Sequence, residues 1–150
     1  YEPFELPGRR MNPSRGWEIA PRIIYDMAMR IKNDYRNIDW FVAESGMGVE
    51  NEGQYRNRDG IIEDSYRINF ISEHLYYTLL AREEGANCHG FMLWAFTDNV
   101  SPMNAFKNRY GLIEIDLADN RARRPKKSAS WFRQLRDERV LTLTIDDEWK

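Results

Sequence analysis

Apolar and polar positions alternate along this chain in two periods, one helical and one extended. Ile23, Ile24, Met27, Ala28 and Ile31 recur at helical spacing and predict a helix from about Trp17 to Tyr35. An unbroken apolar run, Trp40 to Ala43, then closes on Glu44-Ser45-Gly46. Without alternation, such a run predicts a strand buried on both faces, as in parallel sheets covered by helices. Ile68, Ile71, Leu75 and Leu79 mark a second helix, with Asp64 or Ser65 at its cap and Gly85 near its end. A second apolar strand follows from Cys88 to Thr97. Ile113, Ile115 and Leu117 alternate with Glu114 and Asp116, a half-exposed strand ahead of an Asp119-Asn120 turn. Residues 127–139 predict a last helix with Trp131 and Leu135 inward, and Leu141, Leu143 and Ile145 alternate again in a tail over 140–150. Residues 1–14 read as a loop, and the polar stretches 46–60 and 99–109 as loops able to shape a mouth.

The order strand, helix, strand makes a crossover unit whose two strands are parallel neighbours, so the fold class is α/β. Their C-terminal tips then lie side by side, and Glu44, Trp94, Asp98 and Asn99 share one mouth. A carboxylate at such a tip is where barrels of alternating strands and helices place their chemistry. The plainer alternatives stay open at this point: Glu44 as a solvating strand end, Trp94 as a core residue.

With 150 residues the chain is one domain, whereas a complete eight-stranded α/β barrel needs roughly 250. A formal net charge of −2 gives no general attraction to nucleic acid or acidic membranes. The basic run from Arg121 to Lys127 has no interleaved aromatics for base stacking and reads as a solvated turn into a helix. No apolar stretch approaches the roughly 20 residues of a membrane span. The single Cys88 excludes an internal disulfide and suits a reducing, cytoplasmic compartment. No Cys/His spacing suggests a metal and no glycine-rich loop a nucleotide, so no cofactor is expected. His74, beside an apolar stripe, reads as a structural hydrogen-bonding residue.

From about Arg15 to Leu135 the chain resembles the retaining β-glycosidases of glycoside hydrolase family 1. Ser14-Arg15-Gly16-Trp17-Glu18-Ile19 is similar to the family's aspartate-tryptophan-glycine-tryptophan-glutamate stretch, and Ala43-Glu44-Ser45-Gly46 to its threonine-glutamate-asparagine-glycine signature. Arg67, Phe70, His74-Leu75, Gly85 and Gly90 fall at matching places before the last strand. Trp94-Ala95-Phe96-Thr97-Asp98-Asn99, Arg109-Tyr110-Gly111-Leu112 and Lys126-Lys127-Ser128-Ala129-Ser130-Trp131-Phe132 resemble its closing segments. The resemblance implies the C-terminal part of a (β/α)8 TIM barrel, strands seven and eight with flanking helices. Such a piece is incomplete alone, and either the missing N-terminal part of the barrel or another copy of the chain would cover its open edges.

The resemblance also implies roles. Glu44 would be the nucleophile of a double-displacement hydrolase, whose acid/base partner stands on a strand this chain does not contain. Glu18, Glu50 and Glu52 sit at the wrong end or in a flexible loop. Trp94 would floor the sugar site, followed by a cis peptide to Ala95. Ordinary β-glucosidases carry glutamate where Ser101 stands, and the branch cleaving 6-phosphosugars carries serine there, with a lysine and a tyrosine later in the loop. A carboxylate 4 Å from a phosphate charge would repel it by about 4 kcal/mol at an effective dielectric of 20, and Ser101 removes that. Tyr110 matches the tyrosine; Asn108 stands at the lysine position, with Lys107 one residue earlier as the alternative cation. The implied substrate is a 6-phospho-β-glucoside or phosphorylated disaccharide. The alternatives are an ordinary β-glucosidase, a non-catalytic sugar-binding piece, or an assembly remnant.

Overall fold

A computed structural model describes residues 7–143, so Ile145 of the predicted tail lies outside the described residues. The first elements are a two-residue antiparallel pair, β1 (Met11–Asn12) and β2 (Trp17–Glu18), in place of loop and early helix. Helix α1 spans Arg22–Asp34, beginning only after Pro21 at its N-cap. Proline in a helix interior removes a donor and clashes with the preceding turn at a cost of about 3 kcal/mol, which forbids a helix running from Trp17 through Pro21. Next come β3 (Trp40–Ser45), β4 (Val49–Glu50), a 3-10 turn at Glu52–Tyr55, and α2 (Ser65–Glu83). The remainder is β5 (Cys88–Leu93), β6 (Asn108–Arg109), β7 (Ile113–Asp116), β8 (Ala122–Pro125) and α3 (Lys127–Glu138). The basic run is thus mostly a strand paired with β7, through a turn in which Asn120 and Arg121 both take positive φ.

β3 and β5 pair in parallel, with α2 as the crossover between them. α1 and α2 approach closely through the small side chains Ala28 and Ala81, and Ala86, Tyr25 and Trp40 complete that cluster. This helix layer buries one side of the strand pair. The other side stands open: Phe41, Met92 and Trp94 are exposed and Phe96 is 70% exposed. Burial on both faces, expected from the unbroken apolar runs, is therefore not met, because the described chain supplies a single covering layer.

α2 buries Ile68 and Ile71 of the expected stripe and half-buries Leu75, but its inner face also takes polar residues that the stripe left out. Arg67, Ile71, His74, Thr78 and Ala81 line its inner face, while Leu79 is exposed. Asp64 sits at the N-cap of α2 without capping it. Its carboxylate instead accepts from the Ser128 backbone N–H at 2.8 Å and Oγ at 2.6 Å, capping the first turn of α3 across 64 residues of sequence.

Candidate active site

Glu44 and Trp94 occupy adjacent strand tips. The Trp94 N–H donates to the Ser45 carbonyl at 2.8 Å, continuing the β3–β5 ladder to its end. The register shifts between Val42 and Ser45, so the alternation that would turn Glu44 inward with Trp40 and Val42 is broken. Glu44 is exposed, and among the described residues no hydrogen bond or ion pair engages its carboxylate. Trp94, 41% exposed, continues the open stripe of Met92 and Phe96, and its peptide to Ala95 is cis. Beyond it the chain leaves β5 and pairs with 110–113: Ala95 N to Tyr110 O at 3.3 Å, Leu112 N to Ala95 O at 3.2 Å.

Two glycines set the loop after Glu44. A Cβ on Gly46 would lie 1.6 Å from the Trp94 carbonyl oxygen, so only glycine permits this approach of the two tips. A Cβ on Gly48 would lie 2.4 Å from Tyr110 Cζ, which places the Tyr110 ring directly against this loop. β4 then pairs antiparallel with β6, Glu50 opposite Asn108. Lys107 is exposed and its Nζ lies 3.1 Å from Glu50 Oε1. Asn108, by contrast, is 1% exposed, and its amide is used within the protein by Arg15, Ser14, Asn104 and Glu50. Ser101 forms a tight bridge with Ala105, and its Oγ accepts from Met103 N at 3.3 Å. Lys107, Asn108 and Tyr110 are therefore gathered on the β4–β6 side, while the bonds of Ser101 stay within the 101–105 turn.

Beneath these tips lies an ionic framework that sequence reasoning missed. Glu52, placed by expectation in a flexible loop, is buried and accepts from Arg67, Lys126 and, at 2.7 Å, Tyr66 Oη. Lys126, expected in a solvated turn, is buried and also reaches Asp98 Oδ1 at 2.9 Å. Asp98 is accordingly turned into the protein rather than toward the mouth, and accepts from Gly111 N at 2.9 Å as well. Arg67 donates to Asp64 at 2.9 Å and to the carbonyls of Tyr110 at 3.0 Å and Arg109 at 3.1 Å. It also reaches the Met47 carbonyl, so one guanidinium ties the loop after Glu44 to the segment carrying Tyr110. Burial acts against the Arg67 charge, but Glu52, with Tyr66 and Asp64 behind it, holds its proton more tightly than usual. Burial, then the Glu52 charge, raises the Tyr66 hydroxyl far above the ordinary tyrosine range. His74 Nδ1–H donates to the Phe70 carbonyl at 2.6 Å, and burial lowers its pKa against the contrary pull of that carbonyl. Glu18 is paired with Arg9. Among the described residues no group of His, Cys, Asp and Glu is disposed to hold a metal ion, and no helix is long and apolar enough to cross a membrane.

A parallel strand pair with a crossover helix, an exposed carboxylate at one tip and an open tryptophan at the next, is compatible with a sector of a (β/α)8 barrel. The profile of glycosyl hydrolase family 1 matches residues 8–140, and the chain belongs to that family. It is 47% identical over 135 residues to the 6-phospho-beta-glucosidase GmuD of Bacillus subtilis, covering 90% of this chain and 29% of the relative. A 6-phospho-beta-galactosidase of Clostridium acetobutylicum is 37% identical over 134 residues, covering 89% and 27%. The family 1 β-glucosidase of Thermotoga maritima superposes with a TM-score of 0.81 at 24% identity, over 93% of this chain and 30% of that one, and so shares the fold. The chain thus spans under a third of the length of these relatives.

Proposed function

We propose that this chain supplies the nucleophile and part of the sugar and phosphate subsite of a retaining β-glycoside hydrolase acting on 6-phospho-β-glucosides. The observation that carries this reading is the unengaged, exposed carboxylate of Glu44 beside the open face of Trp94. In a double displacement, a Glu44 oxygen bonds to the anomeric carbon as the glycosidic C–O bond breaks, and the leaving oxygen takes a proton from a second carboxyl group. Water then attacks the same carbon, returns a proton to that second group and frees Glu44. The two carboxyl groups of retaining enzymes stand about 5 to 5.5 Å apart. Glu18, Glu50 and Glu52 are each held in an ion pair, so the acid/base group belongs to the rest of the barrel and the described chain alone is expected to turn over little.

Phosphate preference draws support from the 6-phospho-beta-glucosidase at 47% identity, from Ser101 in place of an acid, and from Tyr110 and Lys107 beside the Glu44 loop. Trp94 is the sugar platform in this scheme. A charged sugar phosphate does not cross a bilayer unaided, which fits a cytoplasmic site. The test is to treat the assembled barrel with a 2-fluoro-glycoside inactivator bearing the 6-phosphate and map the label by mass spectrometry. Label on Glu44, with faster inactivation than by the unphosphorylated analogue, is expected; label elsewhere refutes the assignment.

A further inference from the structure

We propose that Arg15 is a specificity-determining residue that binds the phosphate of the phosphorylated sugar at the rim beside Tyr110, an inference that rests on the phospho-glucoside reading above. The β1–β2 hairpin is pinned to the loop after Glu44 by two hydrogen bonds. Asn12 Nδ2 donates to the Gly48 carbonyl at 2.9 Å, and the Glu50 N–H donates to Ser14 Oγ at 3.0 Å. The hairpin turn is thereby held against the β4–β6 pair, and Arg15 arrives next to Asn108.

The bonding of Arg15 is incomplete there. Nη1 makes one long hydrogen bond, 3.4 Å, to Asn108 Oδ1, while Nε is buried without a partner. Asn104, whose amide donates to the same Asn108 oxygen, has its own Oδ1 buried without a partner. The orphaned Arg15 Nε–H calls for an acceptor, which a phosphate oxygen supplies, and the orphaned Asn104 Oδ1 for a donor such as a sugar hydroxyl. The guanidinium is already oriented, lying 4.2 Å from the Trp17 ring centroid.

Charge points the same way. Lys107 is neutralised by Glu50 at 3.1 Å, whereas Arg15 has no ion pair among the described residues. Two cations against one carboxylate leave the rim one positive charge, and Arg15 is the member free to give it. A planar guanidinium matches the paired oxygens of a phosphate. Asn108 stands at the lysine position of the phosphate set and Arg15 at the tryptophan position of the family stretch. The cation absent from one strand is restored from the hairpin that touches it.

Calorimetry of the full chain with methyl β-glucoside 6-phosphate and with methyl β-glucoside tests this, alongside the Arg15 Nε–H resonance of the ¹⁵N-labelled protein, assigned by its loss in Arg15→Lys. Arg15→Gln is expected to weaken the phosphorylated sugar about tenfold or more and leave the other unchanged, with Arg15→Lys between. The Nε–H resonance is expected to move with the phosphorylated sugar only. A phosphate preference that survives in Arg15→Gln, with an unmoved resonance, overturns the role of Arg15 alone. Equal wild-type affinity for the two sugars overturns the phospho-glucoside reading and this inference together.

Discussion

Replacing Lys126 by methionine keeps most of an apolar stem and deletes the cation shared by Glu52 and Asp98. The Lys126 side chain is fully buried and those of Glu52 and Asp98 are at most 2% exposed, with Nζ 2.9 Å from Asp98 Oδ1 and bonded to Glu52 as well. At 2.9 Å and an effective dielectric of 20, one such attraction amounts to about 6 kcal/mol. Dehydrating three charges offsets much of the total. The variant retains the dehydration of two carboxylates and loses both attractions, so a net loss of about 3 to 5 kcal/mol is expected. Against a whole-domain stability of about 5 to 15 kcal/mol, that is a large fraction. Urea unfolding followed by tryptophan fluorescence and far-ultraviolet circular dichroism measures it. Adding Glu52→Gln to Lys126→Met is expected to recover part of the loss, since the buried cluster then regains its charge balance while Arg67 keeps Asp64. A loss below about 1 kcal/mol, or no recovery in the double variant, would refute the claim that this lysine neutralises a buried pair.

Gly46→Ala is expected to destabilise by about 3 kcal/mol, since its Cβ meets the backbone of Trp94 rather than a side chain that can swing away; an unchanged thermal midpoint would contradict the close approach of the two strand tips. His74 gives a pH dependence. Its folded-state pKa lies below the ordinary histidine value of about 6.5, so acidification protonates the unfolded chain first and stability falls as pH drops below about 6.5, by at most about 1.4 kcal/mol per unit. In His74→Gln that slope should flatten, as read from urea midpoints between pH 7.5 and 5; a slope equal to wild type would assign it to another group.

The strand pair and its crossover helix were legible because apolar runs of that length have few alternatives. Glu44 was legible too, as the carboxylate that ends the first run, whereas Trp94 lies inside a second run that was expected to continue as strand to Thr97 but whose strand ends at Leu93. The face of α2 was legible only in part. Its inner stripe contains Arg67, His74 and Thr78, which become buriable only through partners such as Glu52 and Asp64 that the local pattern does not reveal. Lys126 failed for the same reason: within a basic run, nothing local separates the one lysine that meets two carboxylates from its solvated neighbours. The two-residue pairs β1–β2 and β4–β6 are too short for any periodicity to register. Pro21 was the missed signal, since it marks where α1 must begin.

The Asp64–Ser128 contact makes the last helix dependent on the rest of the chain. The opening turn of α3 finds its acceptor only at the start of α2, so a peptide covering that last helix would lack its cap and fray in water. The final helix thus draws the stability of its first turn from the residue that opens the crossover helix.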